Sequence, residues 1–128
     1  MTKVPSAPKS AVEFEKNCKQ LLAQPASLAA YVRKVDPANY ATFFKDSLEG
    51  AHLRAIGVAL SHASFVDDDP KGALATLRAL SQVKRFDMTI MLLPKRDKQT
   101  FGSVFDTIES KLPPKGMDLA AVRGKFGV

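Results

Sequence analysis

The side chains with chemical reach in this sequence are two histidines, a run of three aspartates and a single cysteine. His52 and His62 are nitrogen donors of the type zinc takes, but ten residues apart on one predicted helix they project about a quarter-turn from each other. They read as surface or boundary histidines. Asp67, Asp68 and Asp69 would suit a hard cation, yet no ordered set of oxygen ligands follows them and Pro70 stands directly behind. That arrangement reads as a solvated loop ending in a helix cap at Asp69. Cys18 lies on an apolar stripe with no sequence cue for a neighbouring base, the setting of a core thiol and not of a nucleophile. A Gly-rich phosphate loop, an HExxH pair and a nucleophile elbow are missing from the sequence. With no nucleophile, base and orienting group to assemble, the chain reads as a non-enzyme with no metal and no cofactor.

The elements that would position any functional side chain are helical. Ser10 and Glu13 have capping-box spacing, and Phe14, Cys18, Leu21 and Leu22 keep a helical period behind them to Gln24. Pro25 opens a second amphipathic segment carrying Leu28, Tyr31, Val32 and Val35, which must stop before Asp36-Pro37. Asp36 caps a third, with Tyr40, Phe43 and Phe44 as an aromatic face until Lys45-Asp46-Ser47 breaks the pattern. Leu53, Ile56, Leu60 and Ala63 predict a helix over Glu49–Ala63, in which Gly57 leaves room for a close neighbour. After the loop SFVDDDP, Leu74, Leu77 and Leu80 carry a helix to about Gln82. Phe101, Val104, Phe105, Ile108 and Leu112 mark one face of a helix beginning at Lys95; LPPKG is a loop, and Asp118 starts a last helix through Leu119, Val122 and Phe126.

Between these lies Val83–Pro94, VKRFDMTIMLLP, which is apolar on more sides than a single-faced surface helix needs. Alternation of Phe86, Met88, Ile90 and Leu92 also fits a strand, but no other stretch offers a partner strand. Read as a helix, it puts Val83, Phe86, Ile90 and Leu93 on a core stripe and Arg85, Met88 and Leu92 on the opposite side. That second side is either buried against a neighbouring helix or presented to a partner; periodicity leaves both open. The fold class is all-α, a compact bundle of about seven to eight short antiparallel helices. No repeat recurs at a fixed period, which argues against a solenoid.

The chain is 128 residues long, 45% hydrophobic and 25% charged, enough for one self-sufficient core. Residues 1–9 read as a flexible lead-in and not as a signal peptide, and 10–128 as a single helical domain. No apolar run approaches the roughly 20 residues that cross a bilayer. With one cysteine, the expected address is cytoplasmic, with the nucleus as a second. The net charge of +6 keeps open a basic helical nucleic-acid-binding module as the alternative function. Its cations are spread over several elements, and no aromatic stacking motif accompanies them.

Three blocks carry a resemblance: VEFEKNCKQL from Val12, YVRKVDPANYATFFKDSL from Tyr31, and above all LSQVKRFDMTIMLLPKRDKQ from Leu80, with Phe105 in the following helix. In this order they resemble the C-terminal domain of the RNA polymerase II-associated protein family, the scaffold of the RuvB-like co-chaperone complex, which also includes sperm-associated and ciliary dynein-assembly factors. Arg85-Phe86-Asp87-Met88 is the most specific part. The resemblance implies a helical bundle that binds a RuvB-like AAA+ ATPase and tethers it to heat-shock chaperones during assembly of RNA polymerase, ribonucleoprotein or axonemal dynein complexes.

The family's chaperone-docking tetratricopeptide repeats are not in this sequence, so the resemblance implies an excised domain or a short relative whose chaperone link lies outside it. It maps the contact helix onto Arg85, Met88 and Leu92. Phe86 and Ile90, from their place on the core stripe, are the core of the motif, and Lys95, Arg96 and Lys98 read either as charges that steer an acidic partner or as a solvated helix start. At Cys18 relatives often carry a larger aromatic, so the local core should be repacked. The residue at Leu92 varies among them, which lowers its individual weight.

Overall fold

A computed structural model describes residues 4–45, 48–111 and 119–128. Among these are nine helices and no strand: α1 (Ala11–Leu21), α2 (Pro25–Arg33), α3 (Asn39–Phe43), α4 (Gly50–Ser61), α5 (Ala63–Val66), α6 (Pro70–Ser81), α7 (Phe86–Met91), α8 (Lys95–Lys111) and α9 (Leu119–Phe126). The all-α class therefore holds, with α5 as the helix that the count of seven to eight lacked. Asp46-Ser47, Leu112, the LPPKG loop and the expected helix start at Asp118 lie outside the described residues.

Local signals set most of the boundaries. Ser10 accepts the Glu13 N–H at the start of α1, and Asp69 accepts the Gly72 N–H at 3.0 Å to cap α6. Pro25 and Pro70 occupy the first turns of α2 and α6, where their missing N–H costs nothing. Asp36 accepts from Ala38 N–H in a turn that precedes α3, so the helix itself begins two residues later than a cap at Asp36 would place it. Helix α1 ends at Leu21 instead of running to Gln24, and Leu22 is exposed.

The element at the centre of the molecule is α4. His52, Leu53, Ala55, Ile56, Gly57, Ala59 and Leu60 are all buried, so it is covered on most of its circumference, with α2 packed against one side and α8 against another. Gly57 is where α8 comes closest: a Cβ there would stand 3.2 Å from the Phe101 ring. The helix stops at Ser61, two residues before the expected end, because His62 turns extended (φ −71°, ψ 139°) and its ring nitrogen receives the Ser64 N–H of α5. Ala63 is thereby exposed on the next helix and not on α4's core stripe, and the SFV part of the expected loop is helical.

Two aromatic clusters fill the core. Phe14 sits among Tyr31, Tyr40, Phe43 and Phe44, with ring centroids between 5.7 and 6.1 Å away. In the other, Phe126 of α9 is surrounded by Phe86 of α7 at 4.7 Å and by Phe101 and Phe105 of α8 at 5.0 and 5.2 Å. Favourable edge and offset geometries in such groups add to their large apolar burial. The second cluster seats α7, the short helix of interest.

Candidate functional site

The stretch 83–94 is helical only over Phe86–Met91, not along its whole length. Val83 lies in the preceding turn, where its N–H donates to Leu80 and its carbonyl accepts from Phe86. Leu93 lies in a bend just before Pro94. Despite the shortening, the inner stripe stands as expected: Val83, Phe86, Ile90 and Leu93 are buried. A six-residue helix has little stability of its own, since nucleation is costly and only tertiary packing offsets it. Here the inner stripe supplies that packing through α4, α6 and α9, and the Thr89 hydroxyl donates to the Leu48 carbonyl at 3.1 Å.

The opposite side is open. Met88 is 65% exposed, Met91 73% and Leu92 78%, and these are three of the five large hydrophobic residues exposed among those described. Single exposed apolar side chains are ordinary, but three within five residues of chain make a patch. Arg85, Met88, Thr89 and Leu92 also line one groove of about 340 Å³, together with Leu48, Glu49 and Gly50. The Arg85 side chain is exposed at the start of α7 and makes no cap bond to it.

Lys95 and Arg96 are exposed but do not join that groove. Lys95 lines a separate, open concavity with Lys98, Gln99 and the chain end at Val128. The divergence has a cause in Asp97, which turns inward and binds Arg54 of α4 (Nε to Oδ2, 3.1 Å), thereby fixing the first turn of α8 with its neighbouring cations outward. Other cations are engaged within the fold. Arg123 meets Asp106 and Glu109 at 2.9 Å each, and Arg33 donates to the Ser64 carbonyl.

Met91 belongs to the outer face although the two-stripe reading passed over it. The signal was available, because a residue three positions on is only about 60° round the helix from Met88. His52 is the other residue misplaced, being buried and not at the surface or boundary. Its Nδ1 accepts the Glu49 N–H at 3.0 Å, its ring lies 4.8 Å from Phe44, and Nε2 faces Glu15 at 3.5 Å. Because Nδ1 is an acceptor, the proton of the neutral ring sits on Nε2. Hydrogen bonds from His52 and then Lys19 hold the Glu15 carboxyl below its usual range. This is a structural clasp between α1 and α4.

No group of three or more His, Cys, Asp or Glu that could hold a metal ion occurs among the described residues. Asp69 is a cap, as its place before Pro70 suggested. Cys18 is buried with its thiol pushed up to about 12 by desolvation, which keeps it protonated and unreactive at neutral pH. No helix among the described residues is long and apolar enough to cross a membrane. What the outer face of α7 can do chemically is bury apolar surface against another macromolecule, with a guanidinium at its edge to orient the contact.

Residues 7–98, which include all of α7, match the family described as the potential Monad-binding region of RPAP3. The chain is 26% identical over 125 residues to RNA polymerase II-associated protein 3 of Xenopus laevis and 27% identical over 127 residues to that of Homo sapiens. Each alignment covers 98% of this chain and 19% of the relative, so the chain spans about a fifth of the length of the curated relatives it matches. Its fold is similar to the NMR structure of the C-terminal domain of the human RPAP3 protein, with a TM-score of 0.84 at 24% identity, covering 100% of this chain and 94% of that one.

Proposed function

Because the chain belongs to the RPAP3 C-terminal family, we propose that it is a non-enzymatic adaptor domain that docks on a RuvB-like AAA+ ATPase through Arg85, Met88, Met91 and Leu92. Lys95 and Arg96, set apart from the groove, steer the encounter with an acidic partner face and contribute more to association rate than to affinity. In a longer protein, heat-shock chaperones would be held by regions outside this sequence. The domain would thus join the ATPase to a chaperone in the cytoplasm or nucleus, during assembly of polymerase, ribonucleoprotein or dynein complexes.

The observation that carries this reading is the exposed Met88–Met91–Leu92 face on a helix whose inner side is fully committed to the core. A surface helix needs only one apolar stripe to fold, and this one carries two. Methionine adapts its shape to a partner and arginine is frequent among residues that dominate binding energy, so the composition suits an interface. The family's description names Monad, and the same face is the proposed seat for it, in competition with the ATPase.

Co-elution of the purified chain with a RuvB-like ATPase ring tests the proposal. The wild type is expected to co-elute, and Met88→Glu and Arg85→Glu to run alone while melting at the wild-type temperature. Absence of wild-type binding, or full binding by both folded variants, contradicts it. Adding Monad to the preformed complex then reads whether the two partners share the face.

A further inference from the structure

We infer that Met88 and Met91 form a redox-sensitive modification site, at which oxidation to the sulfoxide by a peroxide switches off docking while leaving the fold intact. The inference rests on the docking role proposed for α7. Two thioethers stand three residues apart on one side of the same short helix, both largely exposed, while the opposite side buries Phe86 and Ile90, which carry no sulfur. Within α7, oxidation therefore falls on the outer face alone.

In the reaction, a sulfur lone pair attacks one oxygen of hydrogen peroxide and the O–O bond breaks. The sulfur is oxidised by two electrons to the sulfoxide, and the peroxide, taking up the proton, leaves as water. Reversal consumes two thiols, which leave as a disulfide while the sulfoxide oxygen departs as water, the chemistry of methionine sulfoxide reductases. Each sulfoxide places a strongly polar oxygen where an apolar partner surface would have to desolvate it. The only cysteine, Cys18, is shielded on α1 inside the first aromatic cluster and stays protonated, so it does not compete for the oxidant.

The location makes the switch specific. Leu92 on the same face cannot be oxidised in this way, and the hydrogen bond by which Thr89 ties α7 to Leu48 involves neither sulfur. Two sulfoxides on the outer side of α7 change the proposed partner face, while the buried inner stripe and the Thr89 hydrogen bond hold the helix in place.

The test treats the purified chain with hydrogen peroxide, maps the added oxygens by peptide mass spectrometry, and measures binding to the RuvB-like ATPase ring and the melting temperature before and after. The expected result is oxygen at both Met88 and Met91 at the rate of free methionine, binding weakened roughly tenfold or more, and no change in melting temperature. A thiol-driven sulfoxide reductase is expected to restore binding. In the double variant Met88→Leu/Met91→Leu, whatever its starting affinity, peroxide is expected to leave binding at the variant's own untreated value, and a peroxide-induced loss of binding in this variant would also overturn the inference. Protection of both methionines, undiminished binding by the oxidised chain, or a melting temperature that falls together with binding overturns the inference and leaves the docking role standing. Failure of the untreated chain to bind the ring overturns both.

Discussion

Helices α5 and α7 are built alike on the inside and differently on the outside. Both are too short to persist alone, at four and six residues. Each is held by apolar side chains driven into the core: Phe65 and Val66 in α5, Phe86 and Ile90 in α7. Each also has a polar tie to a distant segment, Arg33 to the Ser64 carbonyl in one and the Thr89 hydroxyl to the Leu48 carbonyl in the other. Outward, α5 shows Ala63 and Ser64, whereas α7 shows Met88 and Met91, with Leu92 at its C-cap. Holding a short helix in this fold therefore does not require an apolar exterior. The exterior of α7 needs another explanation, and docking supplies one.

The comparison breaks first if the inner faces are not equivalent. Phe86→Ala and Phe65→Ala are each expected to cost about 3 to 5 kcal/mol, the range for emptying a buried aromatic site. Chemical denaturation measures it, and an unchanged midpoint for either variant would remove that helix from the core account. Next in size are the polar supports. Asp69→Ala, which removes the cap just after α5, and Thr89→Val, which cuts the tie beneath α7, are each expected to cost about 1 kcal/mol by the same measurement. The outer faces should matter least to stability. Ala63→Glu and Met88→Glu are expected to stay within about 0.5 kcal/mol of the wild type, and a larger loss in Met88→Glu would mean that its side chain supports the fold.

Much of this arrangement is legible from residue order. Asp69-Pro70, Ser10 with Glu13, and Pro25 announce helix starts through local chemistry, and Phe101, Val104, Phe105 and Ile108 announce a face through period alone. Both stripes of α7 are visible for the same reason, although its length is not, because the turn before it is closed by tertiary packing of Val83. Helix α5 escapes notice since two apolar residues beside three aspartates define no period. The turn that creates it, at His62, depends on a hydrogen bond from Ser64 back to the imidazole.

The central place of α4 is hidden in a different way. Alanine and glycine at Ala55, Gly57 and Ala59 bring little hydrophobicity to a pattern, yet all three are buried, and the missing side chain at Gly57 is what lets Phe101 of α8 approach. His52 is hidden because burial of an imidazole follows from its partners, Glu49, Phe44 and Glu15, and not from spacing. For the candidate site, the sequence places Arg85, Met88 and Leu92 together and the fold keeps them so. Lys95 and Arg96 are separated from them by Pro94 and by the inward turn of Asp97, an ion pair made with a residue 43 positions away.

The central claim is that α7, and not merely any exposed short helix, is the docking element. Affinity for a RuvB-like ATPase ring, titrated side by side for the wild type, Met88→Glu and Ala63→Glu, measures that difference directly. The account predicts wild-type affinity for Ala63→Glu and a loss of roughly a hundredfold or more for Met88→Glu, the effect of burying a charge at the centre of an interface. Equal affinities for the two variants would contradict it.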